Sequence, residues 1–263
     1  MPMSVSRRML FAGLSAALFI ETGGRSLANT FTNFPAGPQR EMAEAVGRGD
    51  LATVRRLLES GSVEPDAVGD NRVGWLAIAI AAERRDVFEY LLEAGAVGAP
   101  QSDAAGAAMY QATVADDEKW LRGLVEAGAS LDGKGGGERL ILVAARTKLP
   151  GRLEFYIEQG AQIDARVTGG ETPAYDSALS QNYTALETLL DAGASPWVAS
   201  ARGVTLPFLL ERAARNPVWD MKSEHEALRQ RLVARLVEAG VPYPAPPPAE
   251  VLRRIAAGTW GPS

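Results

Sequence analysis

The chain has 263 residues, 46% of them hydrophobic, with 27 basic and 32 acidic side chains and a formal net charge of −5. An acidic chain with no basic run longer than two residues makes a poor nucleic-acid binder. The absence of cysteine excludes disulfides, thiolate metal sites, a cysteine nucleophile and a lipidated N-terminus, and a single histidine, His225, leaves little material for acid–base chemistry.

In chain order, residues 1–28 read as a cleavable export signal. Arg7 and Arg8 form a positive start, and Met9–Ile20 is an apolar run too short to cross a bilayer of ~30 Å. Glu21 closes that run, and Ser26-Leu27-Ala28 supplies the small-x-small arrangement that places cleavage after Ala28. Ser6-Arg7-Arg8-Met9-Leu10-Phe11 is similar to the bacterial twin-arginine signal, with Leu and Phe in reversed order and Ala12 where a lysine is usual. The expectation is a protein exported to the periplasm, with no membrane insertion once the signal is removed. Residues 29–38 read as a linker, 39–240 as repeats, and 241–263 as a proline-rich turn with a C-terminal capping helix.

The repeats announce themselves by one phrase. Leu57-Leu58-Glu59-Ser60-Gly61 returns as Leu91-Leu92-Glu93-Ala94-Gly95-Ala96, Leu124-Val125-Glu126-Ala127-Gly128-Ala129, Tyr156-Ile157-Glu158-Gln159-Gly160-Ala161, Leu189-Leu190-Asp191-Ala192-Gly193-Ala194 and Leu236-Val237-Glu238-Ala239-Gly240-Val241. The glycines step by 34, 33, 32, 33 and then 47 residues. A period near 33 predicts a stack of small helical units in place of one globular core. Thr172-Pro173 opens the clearest unit, with a capping hydroxyl and a proline tolerated in the first turn. Ala185, Leu186, Leu189 and Leu190 give one apolar stripe, and Gly193 ends the helix.

Thr172-Pro173-Ala174-Tyr175 together with the recurring Leu-Leu and Gly-Ala endings resembles the ankyrin repeat family. Gly74-Trp75-Leu76-Ala77, Ala107-Ala108-Met109-Tyr110 and Arg139-Leu140-Ile141-Leu142 keep the frame but lose the opening motif. The resemblance implies an all-α solenoid of about six helix-turn-helix units joined by extended β-turn fingers. The sixth unit carries an insertion, placed at Asn216–Glu224 and containing Trp219, and Val251, Leu252 and Ile255 are available to cover the end of the stack.

No convergent chemistry stands out. His225, between Glu224 and Glu226, reads as an acid–base candidate or as part of a solvated helix start capped by Ser223. Asp116-Asp117-Glu118 falls at a turn and lacks the spacing of a calcium loop. Gly133-Lys134-Gly135-Gly136-Gly137 lacks the hydroxyl residue and preceding strand of a phosphate loop, and reads as a flexible, partly disordered finger. No cofactor and no metal are expected.

The resemblance also implies a binding face, formed by the finger tips and the exposed ends of the first helices. Partner-binding candidates are Asn71, Arg72, Arg146, Arg166, Thr168, Glu171, Arg202 and Trp219. Arg72, Arg146, Arg166 and Arg202 either meet an acidic partner surface or are ordinary solvent-facing charges. Trp197 is expected to pack onto the next unit, Trp219 to pack or to anchor a partner, and Trp75, Trp120 and Tyr90 to lie in the core.

The function expected from this reading is a monomeric, non-catalytic protein–protein interaction module. It would serve as a scaffold, a stabiliser of an exported enzyme, or a toxin-neutralising immunity protein. The alternatives are an enzyme with its site at 216–225 and a self-associating envelope component.

Overall fold

The computed structural model describes residues 30–167, 169–215 and 223–262. Its helices come in pairs. Unit one contains α1 (Pro38–Arg48) and α2 (Leu51–Glu59), unit two α3 (Trp75–Ala81) and α4 (Arg85–Glu93), unit three α5 (Asp103–Val114) and α6 (Lys119–Glu126). Unit four contains α7 (Leu140–Arg146) and α8 (Arg152–Glu158), unit five α9 (Pro173–Leu179) and α10 (Tyr183–Asp191), unit six α11 (Leu206–Ala214) and α12 (Glu224–Glu238). A last helix, α13 (Pro248–Ala256), follows. The first helices stack on one another as an inner layer, α1 through α11, and the second helices form an outer layer.

The recurring phrase works as a helix stop. In each unit the glycine adopts a left-handed conformation, with φ between 67° and 94°. The residue after it then donates back to the carbonyl five residues earlier: Ala96 N–H to Leu91 O at 2.9 Å, and likewise Ala129 to Leu124, Ala161 to Tyr156 and Ala194 to Leu189. This closes the otherwise unpaired carbonyls and turns the chain toward the next finger.

One continuous core runs between the layers. Trp75 and Trp120 are buried as expected; Tyr90 is half-buried under the Arg55 guanidinium, 4.2 Å from the ring centre. Residues 30–38 are more than a linker: Phe34 is 1% exposed and stacks on Trp75 of unit two at 4.5 Å, so this segment joins the core. At the far end Val251 is buried, while Leu252 and Ile255 stay 41% and 45% exposed, so the last helix covers the stack with less apolar surface than its sequence offers. Trp197 packs as expected, though its partner is the chain end: it meets Trp260 edge to face at 5.4 Å, and Trp260 Nε1 donates to its carbonyl at 3.0 Å.

The fingers are short extended turns. Units two and six close theirs with single bridges, Val68 to Gly74 and Ala199 to Thr205. Unit four closes its finger with an antiparallel hairpin, β1 (Lys134–Gly135) against β2 (Glu138–Arg139), with Lys134 opposite Arg139. The glycine run expected to be a flexible finger is therefore an ordered hairpin. The reason is packing: β1 lies flat on α5, and a Cβ on Gly106 would collide with the Lys134 carbonyl, while one on Gly135 would lie 2.5 Å from the Gly106 carbonyl.

Unit three departs from the pattern. Between Gly95 and Ser102 the connection makes two tight turns, Gly98 N–H to Gly95 O and Ser102 N–H to Ala99 O, and enters the helix at once. α5 is consequently twelve residues long, against seven for α3, α7 and α9. Ser102 caps it, accepting from Ala105 N–H at 3.1 Å, Asp103 suits the positive end of the helix dipole, and the alanine-rich start favours helix over finger.

Candidate protein-binding surface

The fingers of units two, four, five and six run along one edge of the inner layer. Asn71 and Arg72 sit at the tip of the unit-two finger. Asn71 Oδ1 accepts from Val73 N–H at 3.2 Å and shapes the turn, and Arg72 has a left-handed φ of 61°. The Arg72 side chain is exposed and lies 3.7 Å from the Asp103 carboxylate, itself exposed. On the unit-five finger Arg166 is exposed and donates to the Gly170 carbonyl at 3.0 Å, while Glu171 is half-buried. Arg202, on the unit-six finger, is exposed. Thr168 and Trp219 lie outside the described residues, as do residues 1–28, expected to be an export signal, and most of the Asn216–Glu224 insertion.

Arg146 has a different role from the one expected of a free cation. Its guanidinium grips Asp176 with two bonds, Nε at 2.7 Å and Nη2 at 2.9 Å, and its Nη1 also pairs with Glu138. Its charge is thus answered by two carboxylates from its own finger and the next inner helix, and the bond to Asp176 holds the guanidinium above its ordinary pKa. Arg146 is a strut between units four and five. Beside it, Tyr110 is half-buried, and burial followed by the nearby Glu138 charge raises its phenol above the usual value.

Acids and bases are used unequally along this edge. Asp132 accepts from Gln162 N–H at 2.8 Å and Asp164 from Ser195 N–H at 3.1 Å, so both carboxylates are turned onto backbone donors of the next unit. Lys134, Arg139, Arg166 and Arg202 make no ion pair among the described residues. In the outer layer several arginines are paired: Arg56 with Glu41 at 2.5 Å, Arg85 with Asp117 at 2.6 Å, Arg122 with Glu118 at 2.5 Å, and Arg235 with Asp191; Arg55 lies over the Tyr90 ring and Arg152 donates to the Ala115 carbonyl. The finger edge of this net negative chain therefore presents these cations beside Asp70, which is exposed, and Glu171, which is half-buried, and those two acids also make no ion pair among the described residues.

The missing finger of unit three opens a notch of about 660 Å³ in this edge, between the unit-two finger and the unit-four hairpin. Asn71, Arg72, Asp103, Lys134 and Arg139 line it. Arg139 and the notch escaped the sequence reading, because the glycine period stays at 33 when helix replaces finger. A signal was present: Ser102-Asp103 before an alanine run, only seven residues past Gly95, is a helix start.

A second cleft, about 460 Å³, lies between units four and five on the turn side and includes Lys148, Asn182, Thr184 and His225. Ser223 caps α12 as expected, accepting from Glu226 N–H at 3.1 Å, and the His225 ring stacks on Tyr183 at 4.5 Å and 18°. One turn on, Arg229 and Glu226 form a buried bidentate pair at 2.7 Å, with Arg229 also donating to the Leu210 carbonyl, which locks α12 to α11. Asp117 and Glu118, from the acidic run at the turn of unit three, are the ion-pair partners already named. Among the described residues no group of three or more potential ligands could hold a metal ion, and no helix is long and apolar enough to cross a membrane.

No protein-family model and no curated protein sequence matches the chain. Solved structures do. The ankyrin repeat domain of Bcl-3, a member of the IkappaB protein family, superposes with a TM-score of 0.59 at 22% identity, over 75% of this chain and 85% of that one. A chain from the complex of the predatory endopeptidase Bd0816 from Bdellovibrio bacteriovorus with the immunity protein Bd3460 superposes with a TM-score of 0.54 at 20% identity, over 73% of this chain and 97% of that one. The protein is an all-α solenoid with the ankyrin-repeat fold.

Proposed function

We propose that this protein is a non-catalytic binding module of the bacterial periplasm that grips one partner protein along its finger edge and inner helices. The observation that carries the reading is the contrast in charge use. Arg56, Arg85, Arg122 and Arg235 of the outer layer are ion-paired, whereas Lys134, Arg139, Arg166 and Arg202 stand on the finger edge without an ionic partner among the described residues. Unpaired guanidinium groups on a grooved, rigid surface suit recognition of carboxylates. The structural neighbour drawn from an endopeptidase and immunity-protein complex supports a partner that is itself an exported enzyme, held or neutralised by this chain. The signal-like residues 1–28 support export, by the twin-arginine route if Arg7 and Arg8 are both needed.

A photo-crosslinking residue tests the module reading in the full-length protein. Placed at Leu179, 44% exposed at the end of an inner helix, it is expected to capture one protein in cells of the source organism; placed at Val237, 48% exposed on the outer layer, it should capture none. Capture from both positions alike, or from Val237 alone, would remove the inner face as the working surface. Export is checked separately by replacing Arg7 and Arg8 with lysine: a protein that still reaches the periplasm does not use the twin-arginine route.

End-to-end self-association is a second reading, favoured by the exposed Leu252 and Ile255 on α13. Sedimentation distinguishes it: a concentration-dependent size that Leu252→Glu abolishes would support stacking of copies, and a constant monomer would exclude it.

A further inference from the structure

We infer that the notch left by the missing third finger is the seat of an acidic, extended segment of the partner protein. This rests on the module reading above and gives it a place and a chemistry. Three observations converge. First, the finger row is interrupted only where α5 begins eight residues after Gly95, so the edge has a gap bounded by two rigid walls, the unit-two finger and the unit-four hairpin. Second, the hairpin wall is seated on the scaffold, because β1 packs directly against the α5 backbone at Gly106 and Gly135, where no side chain would fit. The seat is therefore formed before the partner arrives, which lowers the entropic cost of binding.

Third, the charges in the gap favour an anion. Arg72, Lys134 and Arg139 line it, with Arg139 Nε also donating to the Arg166 carbonyl of the unit-five finger at 3.2 Å. Of the two carboxylates there, Asp132 is turned onto the Gln162 N–H, and Asp103 is set between Arg72 and the positive end of α5. The Arg72 contact is long at 3.7 Å and both side chains are mostly exposed, so it yields readily to a better-placed carboxylate. Lys134 and Arg139 are cross-strand neighbours, so their side chains leave the same face of the hairpin and can straddle one acidic strand.

The test uses the full-length protein and a fluorescent octaglutamate peptide. Binding is expected, with an affinity that falls as salt rises and drops about tenfold or more in the Lys134→Glu/Arg139→Glu variant. Gln101→Trp should weaken it comparably, since Gln101 is exposed on the notch rim and a bulky ring fills the gap without removing a charge. Lys119→Glu, an exposed charge on the outer layer, should leave it unchanged. Circular dichroism confirms that each variant is folded. Octaglutamate that fails to bind, that binds all four proteins alike, or that is displaced equally by inorganic phosphate or by a short oligonucleotide overturns the inference. The module reading then stands or falls by the Leu179 crosslink, which does not depend on the notch.

Discussion

Units three and five have the same glycine step, 33 residues, and are built differently. In unit five Gly193 closes a unit that opened with an extended finger and a seven-residue inner helix capped by Thr172. In unit three the finger has been traded for five more helical residues, capped by Ser102. The comparison shows what the repeat preserves. Each unit must present a complementary face to its neighbours, since neither helix pair buries its apolar surface alone. The connection is under no such constraint, and the length saved in the finger is spent in the helix.

The sharpest way to break this comparison is at Gly106. Gly106→Ala should destabilise the protein by about 1–3 kcal/mol, because the new methyl collides with the Lys134 carbonyl and the hairpin must move. Glu171→Ala, before the inner helix of unit five, should stay within about 0.5 kcal/mol. Urea denaturation of both variants checks this; equal midpoints would mean that the hairpin rests loosely on α5.

Buried hydroxyls separate the two units next. Thr113 Oγ1 in α5 lies 2.6 Å from Tyr156 Oη and 2.6 Å from the Met109 carbonyl, whereas Ser177 Oγ in α9 is buried with no hydrogen-bond partner among the described residues. Thr113→Val should cost about 1–2 kcal/mol, and Ser177→Ala should be neutral or stabilising. A loss at Ser177 equal to that at Thr113 would reveal a bridging water there.

The caps should behave alike. Ser102→Ala and Thr172→Ala each remove one side-chain acceptor at a helix start and should each cost about 1 kcal/mol. Only the first should speed amide exchange across residues 103–107, because only there does the cap hold helix in place of a finger.

The smallest effect is an alkaline one. Burial raises the phenols of Tyr156 and Tyr183 above their ordinary value, the latter to about 12, and outweighs the Thr113 bond that opposes it at Tyr156. A raised pKa in the folded state means stability that is complete below about pH 10, where unfolded tyrosine titrates, and is lost as pH climbs through the folded value. Stability should therefore fall between about pH 10 and 12, and less steeply in Tyr183→Phe. An unchanged slope in that variant would assign the effect to other groups.

Much of the fold is legible in the residues themselves, because its signals are local. The Leu-Leu stripes, the glycine that ends each second helix and Thr172-Pro173 all act within one unit. The site was less legible. Arg72, Arg166 and Arg202 lie on fingers, but nothing in the local sequence of Arg146 shows that Glu138 and Asp176 would occupy its guanidinium, since Asp176 belongs to the next unit. Gly133–Gly137 reads as mobile by composition, and becomes a hairpin only because Gly106, some thirty residues earlier, offers it a bare backbone to lie on.

The sequence by itself determined the period, the helix ends and the solenoid, because each follows from spacing and capping within about thirty residues. The tertiary structure alone decided which charges are free. Pairing across neighbouring units consumes Arg85, Arg146 and Arg235, and backbone donors of the next unit consume Asp132 and Asp164. The positive edge and its notch are what remains, a property of how the units stack that no single unit encodes.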